Sequence, residues 1–355
     1  MLSIRRNEPL APLTTLGLGG PADEFASCTT VDDLRQAVRS TVVRMAPLHI
    51  LGGGSNTIVP DEGTTGLVVH IALRGVKSTD DGDGVLVEAS AGEPWDELVL
   101  RCINEGLGGL ECLSGIPGLV GATPIQNVGA YGQEVSQTIV RVNALDRSTL
   151  EEQTFAGGDC GFRYRQSRFK SGDAGRFILT SVTFRLRKQA RPEIRYPELG
   201  RYLQELGGTV TLPAGRPALE VVRHAILALR KRKSMVIDPA DPNTRSVGSF
   251  FVNPVLHPAQ LEEAKRRWTG SGGDVPLPTF PSDEGLKIPA GWLVEHAGFP
   301  KGYRKGGAGI SANHALALVN FGGTTRELLE LAEEIQAVVF GRFGIRLERE
   351  PVVLD

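Results

Sequence analysis

The chain has 355 residues, 41% hydrophobic and 23% charged, and its 39 basic and 41 acidic side chains leave a formal net charge of −2. That length exceeds the roughly 250–300 residues one core usually serves and predicts two or three domains sharing a cleft, while the balanced charge excludes nucleic-acid binding through bulk electrostatics. No segment approaches the apolar span of a membrane helix, and Cys28, Cys102, Cys112 and Cys160 show neither a CxxC pair nor metal-ligand spacing with the six histidines, so the reading is a cytoplasmic protein with reduced packing cysteines and no metal.

In chain order, Val31, Leu34 and Val38 recur at helical spacing across 29–39, with Thr30 or Asp32 as the cap. A strand-like run at 47–51 enters Gly52-Gly53-Gly54-Ser55-Asn56, and a second strand follows at 66–71, so the opening is β-α-β in character. A strand at 85–89 and a helix at 95–105, opened by Glu93-Pro94 and closed by Gly106, precede a glycine-rich, aperiodic segment at 107–132. Strands return at 138–145 and 177–186. An amphipathic helix at 219–233 finishes in Arg230-Lys231-Arg232-Lys233, and Pro239, Pro242 and Asn243 then mark a boundary. Beyond it, helices are expected at 258–268, 290–297 and 324–343, with strands at 311–320 and 345–354. There is no internal repeat and no low-complexity segment.

Two segments point to a ligand. The loop from Gly52 to Asn56 follows an apolar strand directly, so its successive amides could cradle an anion. It lacks both the P-loop ending and the GxGxxG spacing, and taken alone it reads as a tight turn. The stretch 115–132 interleaves glycines with small and polar residues in a region too apolar for a solvated linker, which suits a wrap around a flat or extended ligand.

A series of motifs then runs through the chain: Thr14-Thr15-Leu16-Gly17 with Gly20-Pro21-Ala22, the Gly52 to Asn56 loop, and Ile116-Pro117-Gly118 through Gln126-Asn127-Val128-Gly129-Ala130-Tyr131-Gly132. They continue with Phe162-Arg163-Tyr164-Arg165-Gln166-Ser167-Arg168-Phe169-Lys170, Ser246-Val247-Gly248-Ser249-Phe250-Phe251-Val252-Asn253-Pro254, Ala290-Gly291-Trp292-Leu293 and Leu347-Glu348-Arg349-Glu350. In this order the chain resembles the vanillyl-alcohol-oxidase-like flavoproteins, and within them the UDP-N-acetylenolpyruvoylglucosamine reductase (MurB) family, in the longer subclass with a tyrosine loop.

That resemblance implies an α+β, PCMH-type (vanillyl-alcohol-oxidase-like) FAD-binding fold with a C-terminal α/β substrate-binding domain. The implied divisions are a β-α-β subdomain at 1–75 completed by a strand at 345–355, a second FAD-binding subdomain at 76–232, and a substrate domain at 233–344. It also implies NADPH-dependent reduction of UDP-N-acetylglucosamine enolpyruvate to UDP-N-acetylmuramate in peptidoglycan precursor synthesis, by a monomer with no nucleic-acid or membrane partner. FAD would be held noncovalently, since neither loop contains His or Cys, by Gly52, Gly53, Gly54, Ser55, Asn56, Ile116, Pro117, Gly118, Gly121, Ala122, Thr123, Gln126, Asn127, Gly129, Ala130, Tyr131 and Gly132. Arg165 would clamp the substrate carboxylate, Ser249 would donate the proton and Glu350 would stabilise the enolate; Tyr196, Lys233, Asn253 and Lys287 would hold the UDP portion.

From the residues alone, blander readings stand beside these: a solvated cationic cluster for Arg165, a turn serine for Ser249, a surface strand residue for Glu350, helix-dipole compensation for Lys233 and a packed aromatic for Tyr196. The alternative functions are an FAD-linked oxidase or dehydrogenase of the wider superfamily and a noncatalytic flavin- or nucleotide-sugar-binding protein.

Overall fold

The computed structural model describes residues 2–207, 212–282 and 285–354. By packing, the chain forms two compact units: Met1–Glu8, Ala22–Gly53 and Thr65–Val236 make the first, and Pro9–Pro21, Gly54–Thr64 and Ile237–Asp355 the second. These divisions differ from boundaries at 75/76 and 232/233, because two short pieces of the amino-terminal region pack with the carboxy-terminal half. Hydrogen bonds explain the difference. Thr57–Ile58 pairs in parallel with Val352–Val353, Thr325 Oγ1 donates to the Val59 carbonyl at 2.7 Å, and the Asp61 carboxylate accepts from the Thr325 and Arg326 amides at 2.8 and 2.9 Å.

The first unit opens on a four-stranded sheet ordered Arg5–Pro9, Pro21–Cys28, Thr64–Ile71, Leu48–Leu51. Its helix Val31–Arg44 begins at Thr30, whose hydroxyl accepts from the Asp33 amide while the Asp33 carboxylate accepts from the Thr30 amide, a reciprocal cap that decides between Thr30 and Asp32, both left open by the sequence. Leu34, Ala37 and Val38 lie on the face this helix buries against Leu67, Val69 and Ile71. The helix places the parallel strand Leu48–Leu51, and so fixes where Gly52 begins.

A second, six-stranded sheet follows, with Ile139–Asp146 and Gly84–Ser90 flanking the twelve-residue strand Phe177–Lys188. The helix Trp95–Asn104 covers it through Trp95, Leu98, Val99, Cys102 and Ile103, all packed in one core with Val142, Val182, Phe184 and Leu186. A third core joins the helices Pro197–Glu205 and Arg216–Arg232 through Leu199, Leu203, Val222, Ile226 and Leu229. All four cysteines are buried and unpaired, and burial pushes the thiols up, Cys28 and Cys102 to about 12 and Cys160 to about 11.

In the second unit the helices Pro258–Gly270, Ala290–His296 and Thr325–Phe343 share a core with Leu16, Leu18 and Ile58. Two strand expectations are corrected here. Across 311–320 only Leu318–Asn320 is strand, since the Ala317 amide donates to the His314 carbonyl at 3.2 Å and closes a turn before it. Across 345–354 only Val352–Val353 is strand; the residues before it reach a neighbour through a single bridge between Phe251 and Arg349. Strand Val76–Asp81 and helix Pro197–Glu205 lie outside the elements the sequence pattern marks, the strand because Val-Lys-Ser-Thr-Asp-Asp is largely exposed and shows no apolar alternation.

Asp61→Ala should lower unfolding free energy in urea by about 1 kcal/mol, because two amides at the start of Thr325–Phe343 lose their carboxylate acceptor. An unchanged urea midpoint would remove Asp61 as an anchor of that helix.

Candidate active site and cofactor-binding residues

The two glycine segments meet within the first unit. A Cβ on Gly53 would stand 2.9 Å from Gly118 Cα, so main chain lies against main chain with no side chain between. Gly118 takes φ +115°, a conformation that favours glycine, and its carbonyl accepts from the Trp95 amide at 3.0 Å. The Val120 amide donates to the Glu93 carbonyl and the Gly121 amide to the Ala91 carbonyl, both at 2.9 Å. A Cβ on Gly121 would come within 2.5 Å of Ala91 Cβ. These contacts leave the loop edges as bare backbone, which is what a pyrophosphate needs if peptide amides are to reach it. On this ground the residues present fit FAD.

Gly54 lies in the second unit with φ +61°, where a Cβ would meet the Leu13 carbonyl oxygen at 2.0 Å. Next to it, Asn56 Nδ2 donates to the Glu350 carbonyl at 3.2 Å, and the Asn56 carbonyl accepts from the Val352 amide at 3.0 Å.

The later part of the glycine segment is tied to Arg165. Gly129 and Ala130 pair with Glu134 and Gln133 around a turn whose central residues, Tyr131 and Gly132, both have positive φ (+49° and +82°), the geometry of a tight hairpin. Asn127, 1% exposed, donates from Nδ2 to Glu134 Oε2 at 2.8 Å and to the Arg163 carbonyl at 2.9 Å. Arg165 itself sits at φ +54° in a turn closed by reciprocal Arg163 and Gln166 backbone bonds of 3.1 and 3.0 Å. Its Nη2 donates to the Gly129 carbonyl at 2.7 Å and its Nη1 to the Asn127 carbonyl at 3.4 Å. Lys170 Nζ adds bonds to Gln126 Oε1 at 2.9 Å and to the Arg165 carbonyl at 3.2 Å.

Two residues expected to contact the UDP portion also come together in this unit. Tyr196 packs edge-on against Tyr131 with ring centroids 5.4 Å apart, and Lys233 Nζ stands 5.7 Å from the Tyr131 ring centre and 2.6 Å from Glu198 Oε2. Burial pushes the Tyr131 hydroxyl up to about 12 and moves Tyr196 in the same direction. Burial thus favours the neutral form of both phenols.

The second unit holds the remaining candidates. Ser249, half-buried, follows Gly248 at φ +75°, and the Phe250 amide donates to the Leu316 carbonyl at 2.8 Å. The Glu350 amide donates to the Phe250 carbonyl at 2.9 Å and the Val252 amide to the Glu348 carbonyl at 3.0 Å, so the serine segment runs antiparallel to the segment bearing Glu350. Asn253 Oδ1 accepts from the Ala290 amide at 2.8 Å, a bond that starts the helix Ala290–His296. Lys287 pairs in register with Val255, two residues beyond Asn253.

Three contributors went unassigned from sequence. Asp96 accepts from Arg223 through both oxygens, at 2.6 and 2.7 Å, and from the Gly115 amide at 2.6 Å; burial would raise its carboxyl, but these donors outweigh burial and hold it below the ordinary range. It anchors the start of the glycine segment. Asp96 looks in sequence like an ordinary first-turn helix acid, as Glu198 does, and Lys170 closes the motif at 162–170 with no role of its own assigned to it.

Residues 239–354 match the family of the UDP-N-acetylenolpyruvoylglucosamine reductase C-terminal domain, and residues 22–149 match an FAD binding domain. A UDP-N-acetylenolpyruvoylglucosamine reductase of Thermobifida fusca is 48% identical over 358 residues, covering 99% of this chain and 98% of the relative. The chain belongs to the UDP-N-acetylenolpyruvoylglucosamine reductase family. The reductase of that name from Streptomyces coelicolor is 46% identical across 98% of this chain and 89% of its own length. The crystal structure of the Thermus caldophilus reductase (MurB) superposes with a TM-score of 0.67 at 26% identity, covering both chains completely. The α+β architecture, with its FAD-binding domain, is thus that of a reductase family member.

Gly53→Ala forces a methyl against Gly118, and the purified variant should retain less than about a tenth of the wild-type flavin, read as the ratio of visible flavin to protein absorbance. Full flavin content in that variant would show that the Gly53 and Gly118 contact is not part of the cofactor cradle.

Proposed function

We infer that this reductase family member uses NADPH to reduce the enolpyruvyl double bond of UDP-N-acetylglucosamine enolpyruvate, forming UDP-N-acetylmuramate for peptidoglycan precursor synthesis. The observation that carries the reading is the 48% identity, across 99% of the chain, to a protein named for the enolpyruvyl sugar. FAD, when bound, supplies a two-electron hydride carrier between the nicotinamide and the substrate alkene. Backbone amides of Gly52 to Asn56 and of the stretch 118–132 would hold its pyrophosphate, as the bare main chain of both loops supports.

The chain's own residues then manage charge and protons. Hydride addition to the terminal methylene carbon leaves negative charge on the adjacent carbon and its carboxylate. Arg165 takes that carboxylate. Its planar fork suits the task, and the carbonyls of Gly129 and Asn127 support the orientation of the plane. Ser249 gives its hydroxyl proton to the carbon that became negative, and Glu350 stabilises the enolate-like state electrostatically. Tyr196, Lys233, Asn253 and Lys287 bind the UDP portion. For Tyr196 and Lys233, the supporting observation is their shared contact with Tyr131. Asn253 also has a structural duty at Ala290, so its substitution is expected to lower stability as well as affinity. Both substrates are water-soluble nucleotides, which supports a cytoplasmic setting. Among the described residues, no helix is long and apolar enough to cross a membrane.

Stopped-flow measurement of the two half-reactions tests the proton assignment. In Ser249→Ala, bleaching of oxidised flavin by NADPH should stay within about twofold of wild type, while reoxidation by the enolpyruvyl sugar should slow by about 10²–10⁴, the usual worth of a positioned general acid. Equal slowing of both halves would sink the assignment.

A further inference from the structure

Within the first unit the Lys233 ammonium is already engaged: Glu198 Oε2 accepts from Nζ at 2.6 Å, beside the Tyr131 ring. We propose that Glu198 is an affinity-setting residue for the nucleotide substrate: its carboxylate holds the place on Lys233 that a diphosphate oxygen would take, so the ligand binds by displacing it. This rests on the assignment of Lys233 to the substrate diphosphate.

Three observations favour a displaceable contact over a structural tie. Both side chains keep solvent access, with 31% of Lys233 and 29% of Glu198 exposed, and pairs of this kind contribute little to stability. Neither helix end depends on the pair. Lys233 caps the C-terminus of Arg216–Arg232, where Arg230, Lys231 and Arg232 already complement the helix dipole. Glu198 lies in the first turn of Pro197–Glu205, where a carboxylate is favoured by the N-terminal dipole and so has a favourable position after letting go.

The chemistry of the exchange is anion for anion. A diphosphate carries more charge and more acceptor oxygens than a carboxylate, so it can replace Glu198 on Lys233, and the apparent affinity falls by the fraction of time the ammonium is occupied. Tyr196 and Glu198 flank Pro197, so the aromatic contact with Tyr131 and the ion pair with Lys233 are made by one short segment.

Calorimetric titration of the FAD-loaded full chain with uridine diphosphate tests the idea through sign. Glu198→Gln should bind uridine diphosphate about fivefold tighter, the gain expected if Lys233 is held about four-fifths of the time. Lys233→Met should bind it about tenfold more weakly, and the double variant should match Lys233→Met, since the carboxylate then has nothing to compete for. If Lys233→Met weakens binding while Glu198→Gln leaves it unchanged or weaker, the competition is overturned and the assignment of Lys233 survives. Unchanged affinity in Lys233→Met overturns that assignment, and this inference with it.

Discussion

Close approach of bare main chain at Gly53 and Gly118 is the constraint on which both glycine loops depend. A side chain at Gly53 would collide with the other loop's backbone, and one at Gly118 would have to adopt a backbone angle that favours glycine. With no side chains in the way, amides can face an anion instead of filling space. The surroundings brace this arrangement: the Val120 and Gly121 amides donate to the Glu93 and Ala91 carbonyls, the Gly118 carbonyl accepts from the Trp95 amide, and the Asp96 carboxylate accepts from the Gly115 amide and from Arg223. The helix Trp95–Asn104 therefore has two tasks. One face builds the core through Trp95 and Leu98, and its first turn positions the glycine segment.

Arg165 depends on the same loop. A left-handed backbone at a non-glycine residue costs roughly 1 kcal/mol, which is sustained only where the surroundings over-determine it. Here the over-determination comes from the turn bonds of Arg163 with Gln166, from Lys170 on the Arg165 carbonyl, and from the carbonyls of Gly129 and Asn127 on the guanidinium. The glycine segment and the Arg165 guanidinium are consequently one hydrogen-bonded construction. A guanidinium oriented in advance in this way would need little reorganisation if it met a carboxylate on which charge develops.

The second unit solves a different problem, holding a serine segment and a carboxylate segment side by side with very little regular structure. It does so by anchoring isolated strands of chain to long helices. Phe250 and Val252 exchange backbone bonds with Glu350 and Glu348, and Gln336 of the helix Thr325–Phe343 donates to the Leu347 carbonyl at 2.7 Å. Asn56 and Val352 add a further tie. Short stretches that pair through one or two bonds leave no periodic pattern, and that is why the strand expected over 345–354 shrank to Val352–Val353.

The local chemistry of this chain was decided by its sequence: the reciprocal cap at Thr30 and Asp33, the helices from Trp95 and to Phe343, the glycine loops after an apolar strand, and the motif order that marks the family. These are short-range facts, set by periodicity, capping and the freedom of glycine, and they need no partner distant in the chain. Tertiary structure alone decided that Pro9–Pro21 and Gly54–Thr64 pack with the carboxy-terminal half, that Asp96 braces Gly115, that Arg165 leans on Gly129, and that Glu198 sits on Lys233. Each of those links joins residues between 19 and hundreds of positions apart, through a hydrogen bond or charge whose partner is chosen by where the cores bring the backbone, and a charged residue read by itself looks the same whether it faces water or a loop amide.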